Sequence, residues 1–173
     1  MDIAVILHNI RSLHNVGSIF RTADAAGVKK IYLCGITPMP LDRFGKLRPQ
    51  FAKVAMGAEK YVEWEQARGT ASVIKKLRAD GFKIFAVEQS KKSIPYSRFR
   101  GIRMRSQFRI ALILGHERRG LPPSILKFAD EILEIPMRGS KESLNVSVAF
   151  GVVIFHLIYS HGRVSAGGCP FEA

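Results

Sequence analysis

Residues Ile135 to Ala149 read I-P-M-R-G-S-K-E-S-L-N-V-S-V-A. An apolar run with acidic ends, Glu131 to Ile135, reads as a strand that stops at Pro136. A loop of small and charged residues follows, and Ser143 and Asn145 then open a helix predicted to run through Val146 to Ser160. Ser and Asn cap the orphan N–H groups of a helix start. That start carries partial positive charge and favours an electron-rich ligand atom. In an open α/β sheet, ligands bind where a strand hands over to a helix in this way. Capping alone would account for the same two side chains, so the choice rests on the rest of the chain.

Working outward, the same alternation recurs. Ile3 to Leu7 is a short buried strand, and His8 to His14 a loop. Asn15 is placed to cap a helix in which Val16, Ile19, Phe20, Ala23 and Ala26 recur at helical spacing, with Gly27 as its stop. Lys30 to Cys34 is the next strand. Gly35 to Gly57, with Pro38, Pro40 and Pro49, reads as a long loop with one helical turn, a length that is usually functional. Glu59 to Trp64 is predicted as a short strand, Ala67 to Asp80 as an amphipathic helix, and Lys83 to Val87 as a strand. Glu88 to Gln107 is polar and basic, whereas Phe108 to Leu114 is continuous enough to be covered on both faces. A short helix is expected over Ser124 to Ala129. Strands alternating with helices predict an α/β fold with a mainly parallel sheet and helices on both faces.

Composition narrows the class of protein. The chain has 173 residues, enough for one domain over residues 1–160 with a loose tail at 161–173. Its two cysteines, Cys34 and Cys169, form no CxxC pair, and the histidines show no ligand spacing, so neither a disulfide framework nor a metal is expected. The N-terminus has an acid at position 2 and only a short apolar run, which is not the pattern of a secretory signal. The longest apolar stretch, Val146 to Ile158, is broken by Ser147 and His156 and is too short for a bilayer. A cytoplasmic protein with no membrane partner is expected. The balance of 27 Lys+Arg against 14 Asp+Glu gives a net charge of +13 and points to a polyanion, most often nucleic acid. Much of the excess lies in Lys91 to Arg109, with a second group at Arg43, Lys46, Arg48 and Lys53. Arg100, Arg103 and Arg105 of the first group, with Arg11, are the expected nucleic-acid contacts.

Three segments each put Asn, Arg, Glu or Ser at a strand-to-helix junction: Asn9 to Val28, Ala111 to Leu121, and the opening stretch. G-H-E-R-R-G at 115–120 has the outer glycines of a phosphate loop but not the Lys-Ser/Thr that must follow, and no G-x-G-x-x-G occurs. Together, N-x5-R-x-A from Asn15, L-G-x-E-x2-G-L from Leu114 and I-P-M-x-G-x3-S-L-N-V-S-V-A from Ile135 closely resemble the SpoU/TrmH family of SPOUT-class RNA 2′-O-ribose methyltransferases. The resemblance runs in order from about Ile3 to Tyr159. It implies a C-terminal trefoil knot, which no pattern rule predicts because knots are almost absent elsewhere.

It also implies S-adenosylmethionine as cofactor, held mainly by backbone around Leu114, Gly115, Ile135, Met137 and Leu144, with glycine letting the main chain approach the ligand. Asn15, Arg21, Glu117, Ser143 and Asn145 match the family's catalytic positions. The implied substrate is RNA, tRNA ahead of rRNA. The implied assembly is a homodimer paired through the last helix, with Arg21 reaching the neighbouring subunit's cofactor pocket to make a composite site. The helix itself supports pairing, being apolar on nearly every face, so that a small sheet covers only one of them. Many family members carry an RNA-binding domain before the first motif, and here RNA capture is expected to rest on this domain. Arginine is effectively always protonated, so Arg21 is expected to hold a phosphate and stabilise negative oxygen rather than act as a base. A noncatalytic RNA-binding protein on the same fold, or a knotted base methyltransferase, remains as an alternative.

Overall fold

The computed structural model describes residues 2–99 and 109–159. Arg100, Arg103, Arg105 and the tail from 161 lie outside the described residues. Seven parallel strands form one sheet in the order β3-β2-β1-β6-β4-β7-β5. The strands are β1 (Asp2–His8), β2 (Lys30–Cys34), β3 (Glu63–Ala67), β4 (Lys83–Val87), β5 (Ile94–Pro95), β6 (Arg109–Leu114) and β7 (Glu131–Glu134). The helices are α1 (Leu13–Ala25), α2 (Pro49–Ala55), α3 (Thr70–Ala79), α4 (Pro123–Leu126) and α5 (Val146–Tyr159).

The central strands are apolar on both faces because both are covered, as parallel sheets require. From β1, Ile3, Val5 and Leu7 join one core with Val16, Ile19 and Phe20 of α1, Phe51 of α2, and Phe150, Val153 and Ile154 of α5. Ala4 and Ile6 turn to the other core, with Val73, Ile74 and Leu77 of α3 and Ile125 of α4. The period-two alternation of side chains along a strand thus feeds two helical layers. Cys34 is fully buried, and that burial pushes its thiol up to about 11.

Several sequence expectations shift. Ser12, not Asn15, caps α1: its hydroxyl accepts the Asn15 backbone N–H at 3.3 Å. Both residue types favour caps, and periodicity does not fix a start to within three residues. The strand expected at Glu59–Trp64 forms at Glu63–Ala67, because Ala58–Lys60 is a 3-10 turn. The long loop carries a seven-residue helix, α2, begun by Pro49 at its first turn. In the chain by itself α5 buries one face only, through Val146, Phe150, Val153, Ile154 and Leu157, while Val148 stays 50% and Tyr159 58% exposed.

Candidate active site

The sequence-predicted residues converge at the carboxyl edge of the sheet. A cleft of about 280 Å³ opens beyond the ends of β4, β6 and β7 and reaches the start of α5. Leu114, Gly115, Ile135, Met137 and Leu144 all line it, together with Glu117 and Ser143. Its walls mix the apolar side chains of Leu133 and Val146 with the carboxylates of Glu88 and Glu134.

Beside the cleft a polar chain joins all three motifs. Glu117 accepts the backbone N–H of Ser12 at 2.9 Å and of Arg11 at 3.0 Å, and the Asn15 side-chain amide at 3.0 Å. A carboxylate only accepts, so Asn15 must turn its NH₂ to Glu117 and its oxygen outward. That oxygen takes a hydrogen bond from the Asn145 NH₂ at 3.1 Å. Asn145 then presents its own oxygen to the Ser147 N–H at 2.9 Å and hydroxyl at 2.7 Å, which caps α5. One ionised group therefore fixes the orientation of two amides 130 residues apart in sequence.

Burial alone would raise the Glu117 pKa, but the N–H groups of Ser12, Arg11 and its own backbone and the Asn15 amide together hold it below the ordinary carboxylate range. Glu117 is therefore ionised at neutral pH and is a weak base. Asn15, dismissed as the cap of α1, is free for this network because Ser12 took that role.

Gly115 and Gly120 are required by the loop itself. A Cβ on Gly115 would lie 2.7 Å from the Gly120 oxygen and the Leu121 nitrogen. Gly120 has φ +60°, and a Cβ there would run into the Glu88 carboxylate. The bare Cα of Gly115 lets residues 115–121 fold back on themselves. Glu88 was missed by sequence reading. Its carboxylate receives the Leu121 N–H at 2.6 Å and the Gln89 N–H at 2.9 Å, locking that turn to the end of β4. An acid directly after the apolar K-I-F-A-V at a strand's carboxyl end was the available signal.

Two predicted residues stand apart. Arg21 is exposed on α1 and is not among the residues lining the cleft. Its neighbour Thr22 packs against Gly151 of α5, 3.8 Å from where a Cβ would sit. Arg11 is exposed, meets Glu117 through its backbone, and lines a second cleft with His8, Asn9 and Ile36.

Fold and site together define an open parallel α/β protein with a small-molecule cleft and an Asn–Glu–Asn network at its carboxyl edge. The chain belongs to the SpoU rRNA methylase family, whose model matches residues 2–155. It is 31% identical to the tRNA (guanosine(18)-2'-O)-methyltransferase of Aquifex aeolicus over 89% of this chain and 67% of that protein. It is 32% identical to the Escherichia coli 23S rRNA (guanosine-2'-O-)-methyltransferase RlmB over 89% of this chain but only 58% of that protein. The AdoMet-bound rRNA methyltransferase from Sinorhizobium meliloti superposes with a TM-score of 0.77 at 28% identity, covering 89% of this chain and 54% of that one. The chain thus spans little more than half of two of these proteins.

Proposed function

We propose that this chain transfers a methyl group from S-adenosylmethionine to a ribose 2′-hydroxyl of RNA, with tRNA as the preferred class. The observation that carries the reading is the convergence of Leu114, Gly115, Ile135, Met137 and Leu144, from two distant parts of the chain, on one cleft, with the Asn15–Glu117–Asn145 network beside it. The lining suits such a cofactor. Apolar side chains accommodate an adenine ring, the ends of three strands offer backbone groups, and carboxylates on the wall favour a sulfonium cation. The name of the Aquifex relative and the AdoMet-bound neighbour support the same choice of chemistry and substrate.

Bound in the cleft, the cofactor supplies an electrophilic methyl group on a sulfonium. The residues of the chain do the positioning, which is the largest contribution available to such a displacement. Glu117 stays ionised and keeps the β1–α1 loop and Asn15 in place. Asn145, fixed by Asn15 and Ser147, holds the start of α5 against the cleft, and Ser143 offers a hydroxyl at its edge. Arg21, a guanidinium cation, holds an adjacent phosphate and stabilises the 2′-oxygen while its proton passes to solvent water.

The reading extends to a homodimer and a trefoil knot. The apolar stripe on α5, exposed at Val148 and Tyr159 and half-buried at Val152 and Phe155, supports pairing through this helix, because a contiguous apolar patch favours a partner. A second copy seated there would lie next to Arg21, which makes a composite site. The knot is supported by the position of β7 between β4 and β5.

Calorimetry with S-adenosylmethionine, followed by transfer of a labelled methyl group to tRNA and to rRNA, tests the proposal. Label in ribose 2′-O-methyl nucleotides is expected. Cofactor or RNA binding without transfer selects the noncatalytic alternative, and label in a base selects the base methyltransferase. For the composite site, Arg21→Ala and Asn145→Ala are each expected to be inactive, and co-expressed mixed dimers to regain activity. Proven mixed dimers without activity would show that each subunit builds its own site.

A further inference from the structure

A second cleft, of about 510 Å³, adjoins the first and shares His116, Arg119 and Gly120 with it. Its other walls are His8, Asn9, Arg11, Ile36 and Pro122. It lies at the boundary of β1 and β6, where the connections leave towards opposite edges of the sheet. From β1 the chain leaves through α1 to β2 on one side, and from β6 it leaves through α4 to β7 on the other. The cores place α1 and α4 on opposite faces of the sheet. Loops that part in this way leave the crevice in which open α/β sheets take their ligands. The volume falls in the ordinary range for small-molecule sites, about 300–1,000 Å³.

The floor of this cleft is built with care. Asn9 has φ +57°, a left-handed conformation rare outside glycine. Its side-chain oxygen accepts the Ile36 N–H at 3.1 Å, which fixes the amide. Its NH₂ therefore donates to His8 Nε2 at 3.1 Å, and His8 Nδ1–H donates to Thr70 Oγ1 at 2.7 Å. His8 is thus held as a neutral ring, consistent with burial and then the nearby His116 lowering its pKa. Gly35 must lack a Cβ because Asn9 Oδ1 occupies that space. The effect of this framework is to hold Ile36 out to solvent at 63% exposure, an apolar surface in a cleft that Arg11 and Arg119 also line. On the shared wall, His116 Nδ1 accepts the Arg118 N–H at 3.0 Å, so its Nε2 is left as the position for a proton.

We infer that this second cleft holds one nucleotide of the RNA, next to the ribose that is methylated. The inference rests on the proposed function and names the part of the substrate that the neighbouring site grips. The phosphate lies on Arg11 and Arg119, each a planar fork suited to phosphate oxygens. The base lies over Ile36, and the Asn9–His8–Thr70 chain keeps that surface fixed and uncharged. Arg119 and His116 belong to both clefts and so set the distance between this nucleotide and the methyl donor.

The test uses the full chain and free nucleoside 5′-monophosphates, with inorganic phosphate as the control, followed by nitrogen-15 NMR. The four mononucleotides are expected to shift the amides of Asn9, Ile36 and Gly120 saturably. Phosphate alone is expected to leave the Ile36 amide unmoved, and Ile36→Asp to abolish the shifts while S-adenosylmethionine affinity stays unchanged. With RNA, Ile36→Ala and Arg11→Ala are expected to raise KM about tenfold, the effect of one lost charged or packed contact, with kcat within about twofold. Shifts absent from this cleft, or reproduced in full by phosphate, overturn the inference, as does an unmoved KM in both variants. The mononucleotide measurement needs no methyl transfer. An inactive protein that still shows these shifts would sink the proposed reaction and keep the nucleotide site.

Discussion

The loop after β6 and the loop after β7 form the two jaws of the first cleft, and they are held in opposite ways. Residues 115–121 are tied at several points. Gly120 N–H reaches the His116 oxygen at 2.8 Å, Leu121 N–H reaches Glu88, and Glu117 gathers three donors from the β1–α1 segment. Residues 138–145 are all exposed, and their connections to the rest are few: Gln89 donates to the Glu142 oxygen at 2.6 Å, and Asn145 reaches Asn15. Few buried contacts and exposed backbone mark the part of a fold that opens at low cost. One jaw is therefore preformed, and the other is held mainly by the helix start behind it. A motif conveys the residues of both jaws equally well, but not this difference in stiffness.

The largest expected effect that would break the comparison is Gly115→Ala. Its Cβ would meet backbone, which cannot swing aside, so a loss of about 3 kcal/mol is expected in denaturant unfolding, with cofactor binding weakened. A variant as stable as the parent would show that the first jaw is not tight. Next comes Glu117→Gln, which replaces a charged acceptor by a neutral amide and is expected to cost about 1–3 kcal/mol. The pH dependence gives it a signature. The folded pKa of Glu117 lies below its ordinary 4.5, so its stabilisation is present above that value and is lost as pH falls through the lower folded value. Acid unfolding below about pH 4.5 should therefore be less steep in the variant than in the parent. Equal slopes would remove the electrostatic account of the latch.

Asn145→Ala probes the second jaw and removes the cap of α5 together with the link to Asn15. A cost of about 1 kcal/mol is expected from thermal unfolding, with a larger loss in methyl transfer than in stability. The smallest effect is expected for Gly139→Ala. Nothing lies within 4 Å of the added Cβ, so stability should stay within about 0.5 kcal/mol of the parent. A Gly139 variant as damaged as the Gly115 variant would make the two jaws alike and end the comparison.

Much of the fold was legible because its signals are local. The apolar runs of β1, β2, β4 and β6 and the helical spacing of α1 and α3 gave the alternation of a parallel sheet. The five lining residues were found through the motif resemblance and do share one cleft. What slipped was set by competition between neighbours. Ser12 and Asn15 are both good caps, and only the pull of Glu117 on Asn15 separates them. Glu88 was passed over because its partners, Gly120 and Leu121, are more than thirty residues away in sequence. Asn9 gave no signal, since a left-handed backbone is a property of how β1 and β2 end side by side.

The sequence by itself determined the composition-level facts: a basic chain, strands that need cover on both faces, helix starts rich in Asn and Ser, and three motifs in order. These follow from residue chemistry and short-range periodicity, which do not depend on where distant segments meet. Only the tertiary structure decided that Glu117 is a fixed, ionised latch, that Gly115 must be bare for its loop to fold back, and that α5 leaves part of one apolar face exposed. The sheet order also decided that β1 and β6 lie side by side with their connections departing to opposite sides. That separation opens the crevice, because two adjacent strand ends are left with no loop crossing between them.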